Sequence, residues 1–158
     1  MGITLLRCDD RLIHGQCIVK VLNDCSIDHI ILVDDFTSTN PVLKNIYKMA
    51  VPPNVVIDVL TAGEAPAYIE AAADDPKKTL VLVKDPCVAL VLQQQTSKLP
   101  KQLNIGPMSN RNDTKKATFF AFLLKKERAA CDDLESMGIH VFFQQVPGEK
   151  EIAWNDIK

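Results

Sequence analysis

Strand-length apolar runs separated by helix-length segments constrain this chain more than any other feature of it. Residues 3–7 (ITLLR), 29–33 (HIILV), 55–60 (VVIDVL) and 79–83 (TLVLV) have the length and apolar content of strands. The run at 29–33 is continuous rather than alternating, as in a strand buried on both faces. Between these runs the period changes. Residues 15–24 read as a helix that places Ile18, Val21, Leu22 and Cys25 on one side. Asn40-Pro41 marks the next helix start, with Val42, Ile46 and Met49 as its stripe. Thr61 and Glu64 have the spacing of a capping box, and Asp85-Pro86 opens a helix through Gln93. Further on, residues 103–105 form a short strand before Gly106-Pro107, and residues 117–122 read as a strand near a sheet edge. A helix over 125–137 stops at Gly138, and residues 140–144 are the last strand. Strands joined through helices need crossover connections, which make them parallel. The expected fold is therefore α/β, a single domain over residues 1–158 with a mostly parallel central sheet and helices on both faces.

Composition narrows the function classes. A 158-residue chain that is 47% hydrophobic and 24% charged is globular. Its net charge of −2 and pI of about 5.9 offer no basic field for nucleic acid or anionic lipid. No cleavable leader is seen, and the apolar run at 79–83 ends at Lys84-Asp85, far short of a membrane span, so a cytoplasmic location is expected. The five cysteines are scattered and include no CxxC pair, which predicts reduced, mostly buried thiols. Cys8 stands close to Arg11 but reads as a packing residue rather than a thiolate.

In a parallel sheet, ligands gather at the carboxyl ends of the strands. There the first strand gives way to DDRLIHGQ, residues 9–16, and loops at 34–36, 84–86 and 106–109 should open on the same edge. His14 and Gly15 stand at the mouth of a helix, where free amides and the helix dipole favour an anion. Arg11 adds a planar fork of donors suited to phosphate oxygens, and Asp9 or Asp10 could orient either side chain. A neutral imidazole can act as nucleophile and carry a transferable group. The same residues would also make a plain aspartate-capped turn, and the residue types alone leave both readings open. His29 and His140 begin apolar strands without an evident partner and read as structural. No GxGxxG, GxxxxGK[ST] or GxSxG motif occurs, and the histidines and acids lack metal-ligand spacing, so no metal or nucleotide cofactor is expected. The basic cluster at Lys115-Lys116 and 125–128 reads as a solvated face, and Trp154 as a tail residue packed back on the domain.

Arg7 to Gln16, RCDDRLIHGQ, resembles the active-site signature of the IIB component of the mannose/fructose/sorbose family of the bacterial sugar phosphotransferase system. The likeness continues through HIILVDD at 29–35, KMAVPP at 48–53, LVLVKDP at 80–86, LNIGPMS at 103–109 and QQVP at 144–147. It implies a cytoplasmic phosphocarrier, peripherally associated with a membrane transporter, that acts as a protein-phosphohistidine–sugar phosphotransferase. His14 matches the phosphorylated histidine, with the group on Nδ1, and Arg11 matches the motif arginine. Arg11 and the amides near Gly15 and Gln16 would hold the phosphoryl charge, supported by Asp9, Asp10, Lys84 and Ser109. The implied donor is a IIA phosphohistidine and the implied acceptor a sugar carried by the IIC–IID membrane complex, with no cofactor. Family members often pair, which an edge strand at 117–122 would suit. The chain departs from the family pattern at Cys17–Val21, at Pro107 and in the aromatic stretch 117–124. A regulatory, phosphorylation-dependent interaction module with the same fold and no sugar acceptor is the alternative. An α/β binding domain without histidine chemistry is the third reading.

Overall fold

The computed structural model describes residues 2–158. Strand and helix alternate as β1 (Gly2–Cys8), α1 (Gly15–Asp24), β2 (His29–Val33), α2 (Asp35–Ser38), α3 (Pro41–Ala50), β3 (Val56–Leu60), α4 (Ala65–Ala73), β4 (Lys78–Val83) and α5 (Pro86–Gln95). They continue as β5 (Gln102–Ile105), β6 (Lys115–Thr118), β7 (Ala121–Leu123), α6 (Lys125–Ser136), β8 (His140–Phe143) and β9 (Ile152–Ala153), before a short 3-10 turn at Trp154–Asp156. Seven strands form one sheet in the order β3-β2-β4-β1-β5-β8-β9, parallel except where β9 runs against β8.

Both faces of the sheet are covered, as the continuous apolar strands require. On one face Ile18, Val21 and Leu22 of α1 pack with Ile30, Leu32, Leu80 and Leu82. On the other, α4, α5 and α6 bring Ile69, Leu92 and Leu134 onto Leu6, Ile31, Val81 and Ile105. The order of strands follows from this arrangement. The chain leaves β1 towards β2 and β3 over the first face and returns through β4 to β5 over the second. β1 therefore lies between β4 and β5, whose connections depart to the opposite face from its own, and the loops part around its carboxyl end.

Local signals hold at several helix starts. Asn40 accepts from the amides of Val42 and Leu43, Asp85 from those of Cys87 and Val88. Thr61 and Glu64 exchange side-chain to backbone hydrogen bonds in both directions, at 3.0 and 3.2 Å. Trp154 is buried and donates from Nε1 to Asp132 at 2.9 Å. All five cysteines are free, with Cys8 and Cys131 buried and the other three half-buried.

Other expectations are corrected. The stripe Val42, Ile46 and Met49 of α3 faces outward, at 68%, 52% and 84% exposure. The inward side is supplied instead by Tyr47 and by Val51 just past the helix, which pack on the α1 face. Residues 117–122 are not an edge strand of the main sheet. They belong to a separate antiparallel hairpin, β6–β7, that turns at Phe119-Phe120, while β3 and β9 are the edges. Glu127, read as part of a solvated face, is 1% exposed. His29 does have partners: Asp58 Oδ2 at 2.8 Å and Thr79 Oγ1 at 3.1 Å, both on adjacent strands. The His140 ring stacks on Phe142, with centroids 5.5 Å apart. Among the described residues no helix is long and apolar enough to cross a membrane.

Candidate functional site

The loop after β1 is built from the inside out. Asp9 extends the ladder through its amide to Val83 O (3.0 Å), and its carboxylate then accepts the Arg11 amide at 2.9 Å. The Leu12 amide closes back on Asp9 O at 3.0 Å, and Leu12 takes a left-handed φ of +57°. That conformation costs a branched residue about 1–2 kcal/mol, and burial offsets it. Leu12 and Ile13 both insert into the core beneath α1. With these two drawn inward, the flanking Arg11 and His14 are left exposed.

His14 occupies the N-cap position of α1 in extended geometry, but its side chain makes no capping bond, and no acid stands in the first turn. This sets α1 apart from α2, α3 and α5, which Asp34, Asn40 and Asp85 cap. The first amides of α1 are consequently without side-chain acceptors, at the positive end of its dipole. Gly15 has φ +65°, and a Cβ built there would meet nothing within 4 Å, so the space above the helix mouth is open. Gln16 is exposed beside it.

Beneath the loop Arg7 is 1% exposed. It donates to Asn104 Oδ1, to Gln144 O (3.2 Å) and to Gln145 O (2.6 Å), tying β1 to β5 and to the segment after β8. Burial lowers its pKa, partly countered by Asp9. Burial likewise raises the Asp9 carboxyl, against the hydrogen bond from Arg11 and the charge of Arg7.

Across the crevice between β1 and β5, Asp10 takes both the amide and the hydroxyl of Ser109, at 2.7 and 3.3 Å. Its own amide donates to Pro107 O at 3.3 Å. Asp10, Arg11, Lys84 and Ser109 line one cavity of about 290 Å³, together with Asp85, Arg111 and Glu127. The sequence-nominated residues thus fall into three positions. Those four share the cavity, His14, Gly15 and Gln16 stand at the open helix mouth, and Asp9 lies buried under the turn. Among the described residues neither Arg11 nor Lys84 has a carboxylate partner.

Sequence reasoning missed Arg111 and Glu127. Arg111 donates to Ser109 O, Phe122 O and Glu127 Oε1, at 3.1, 3.2 and 3.1 Å. Glu127 also accepts the Leu124 amide at 2.7 Å. Its place in the first turn of a helix starting at Lys125 was a usable capping signal, whereas nothing local marks Arg111. No group of three or more His, Cys, Asp or Glu side chains suited to a metal ion occurs among the described residues.

A family model described as PTS system sorbose subfamily IIB component matches residues 3–158. The chain is 27% identical over 151 residues to N-acetylgalactosamine-specific phosphotransferase enzyme IIB component 2 of Escherichia coli (strain K12), covering 96% of this chain and 95% of that one. It is 26% identical over 152 residues to the PTS system sorbose-specific EIIB component of Klebsiella pneumoniae, covering 96% and 92%. The crystal structure of the IIBSor domain of the sorbose permease from Klebsiella pneumoniae superposes with a TM-score of 0.91 at 26% identity, over 99% of this chain and 95% of that one.

Proposed function

The chain belongs to the sorbose subfamily of phosphotransferase-system IIB components, and from that premise we propose that it carries a phosphoryl group on His14 between a IIA phosphohistidine and a sugar at the IIC–IID membrane complex. The observation that carries this reading is the unsatisfied mouth of α1. An exposed imidazole stands at an uncapped helix N-terminus, three residues after an exposed arginine that forms no ion pair with a carboxylate among the described residues.

His14 attacks the donor's phosphorus through its neutral Nδ1. The donor N–P bond breaks as the new one forms, and the donor imidazole leaves with the electron pair of the broken bond. Such a transfer needs little covalent help beyond alignment and stabilisation of charge on the equatorial oxygens. The Arg11 fork and the amides of Gly15 and Gln16 supply that, with Lys84 adding a second cation across the cavity. The acceptor sugar hydroxyl then takes the group by the same in-line displacement: its O–P bond forms as the His14 N–P bond breaks, and its proton passes to the released imidazole. This places the chain in the cytoplasm, peripherally on the transporter, with the choice of sugar left to the membrane subunits. Pro107, one of the departures behind the regulatory alternative, offers its carbonyl to the Asp10 amide and leaves Ser109 on the Asp10 carboxylate.

The test is intact mass after incubation with a phosphorylated IIA protein, kept alkaline because phosphohistidine is labile in acid. One phosphoryl group on the wild type, absent from His14→Ala and lost in acid, is the expected result. No gain with a proven donor overturns the reading.

A further inference from the structure

We propose that Arg111 is a positioning residue for phosphoryl transfer, which keeps Arg11 free by holding Ser109 on the Asp10 carboxylate. The inference rests on His14 carrying the phosphoryl group. Its starting point is a conflict of charge. Asp10 precedes Arg11 and lines the same cavity, so its carboxylate could pair with that guanidinium and cancel it. The two form no ion pair here, and each Asp10 oxygen accepts instead from Ser109, through the amide at 2.7 Å and the hydroxyl at 3.3 Å, which holds the carboxylate on the Ser109 side.

Ser109 lies in the long connection between β5 and β6, directly after Met108, whose amide donates to Phe120 O at 3.0 Å and whose carbonyl accepts the Phe122 amide at 2.9 Å. Beyond that bridge Arg111 holds Ser109 itself. Nε donates to Ser109 O at 3.1 Å, while Nη2 reaches Phe122 O in β7 and Glu127 Oε1 in α6. A guanidinium used along both Nε and Nη2 is fixed in plane, so the loop is splinted to two regular elements at once. The anchor is firm because Glu127 is 1% exposed and its Oε1 also accepts the Leu124 amide. A buried carboxylate strongly disfavours losing its cation. Glu127, Arg111, Ser109 and Asp10 thus form one chain of contacts ending at the residue before Arg11. When Arg111 is removed the loop slackens, Asp10 is released from Ser109, and its carboxylate turns to Arg11.

The experiment measures the rate of phosphoryl acceptance from phosphorylated IIA in wild type, R111A, D10N and R111A/D10N at low and high salt, with thermal unfolding of each variant. R111A should be slower by about two- to fivefold, the factor that an exposed ion pair is worth. The double variant should regain most of the wild-type rate, because asparagine cannot neutralise Arg11. The R111A defect should also shrink at high salt, where an exposed pair is screened. A purely structural role for Arg111 predicts neither the rescue nor the salt effect. R111K, which keeps the charge beside Glu127 but loses the fork, provides the same reading should R111A fail to fold. A wild type that takes no phosphoryl group defeats the carrier function itself. A competent wild type with R111A and R111K equally fast, or slow variants that D10N does not restore, overturns this inference alone.

Discussion

Gly106 is a position where one added carbon should cost several kcal/mol, through a side chain that is pinned in place. A Cβ there would lie 2.4 Å from Arg7 Nη2 and 2.8 Å from its Cζ. Arg7 has nowhere to go, being 1% exposed and held by Asn104, Gln144 O and Gln145 O. To admit the methyl group, the guanidinium must surrender some of those bonds or the β5 turn must shift. Each charged hydrogen bond is worth about 1.5–3 kcal/mol. Losing two of them puts Gly106→Ala at about 3–6 kcal/mol, in line with the cost of disrupting a buried charge. For a domain of this size that lowers Tm by roughly 6–24 °C. Urea unfolding followed through Trp154, the one tryptophan, measures it. The stronger check is a cycle with Arg7→Met, which removes the obstructing group. Gly106→Ala should then add less than about 1 kcal/mol to Arg7→Met, a coupling of several kcal/mol. A loss below about 1 kcal/mol in the single Gly106→Ala variant, or additive effects in the pair, would refute the argument that Arg7 is immovable.

Asp9 gives a pH dependence of defined sign. Burial raises its carboxyl above 3.8 in the native chain, so the native state holds the proton at a pH where the unfolded chain has released it. Stability therefore falls as pH rises through that window, and the charged carboxylate is a net cost at neutral pH. Asp9→Asn keeps an oxygen for the Arg11 amide, and its stability relative to wild type should rise from below pH 3.8 to pH 7 in denaturant titrations; an advantage that shrinks with pH contradicts this. At Gly15, alanine meets no neighbour, so the φ of +65° alone should cost about 1–2 kcal/mol in urea unfolding. A loss above about 3 kcal/mol would mean that the helix mouth is not open.

The parts of this fold legible in sequence are those decided locally. β2 and β4 are unbroken apolar runs because α1 and α3 cover one face and α4 and α5 the other, and such a run has few other readings. Asn40-Pro41 and Asp85-Pro86 mark helix starts because a side chain satisfying nearby amides is a contact of two or three residues. The errors have the converse cause. The spacing of Val42, Ile46 and Met49 shows that α3 has an apolar side, but not that the sheet lies behind Tyr47. The aromatic run at 117–122 suits a strand, yet only the tertiary fold shows that Phe119 stands at a turn with 71% of its surface exposed. His29 meets Asp58 through strand register, across 29 residues. At the site, Arg11 and His14 are marked by their own loop, whereas the bond from Ser109 to Asp10 spans 99 residues and depends on β5 lying beside β1. Arg111 was invisible for the same reason, since its anchors come from β7 and α6.

The acids around the loop account for why a sequence with so many of them leaves its helix mouth electropositive. Asp9 turns inward onto the Arg11 amide, Asp10 sideways onto Ser109, Asp85 onto the first turn of α5, and Glu127 onto Arg111 and Leu124. Each carboxylate close to the phosphoryl path is committed to backbone or to another side chain. Arg11, Lys84 and the first amides of α1 are not. Formal charge counts the acids as cancelling the cations, which is why a net charge of −2 gave no hint of an anion site. A hydrogen bond leaves a carboxylate its charge but fixes where that charge sits, and none of these carboxylates sits in an ion pair with Arg11 or Lys84. In the proposed transfer, a phosphoryl group arriving at His14 with its charge of about −2 would meet Arg11, Lys84 and the first amides of α1, with no carboxylate among the described residues ion-paired to either cation.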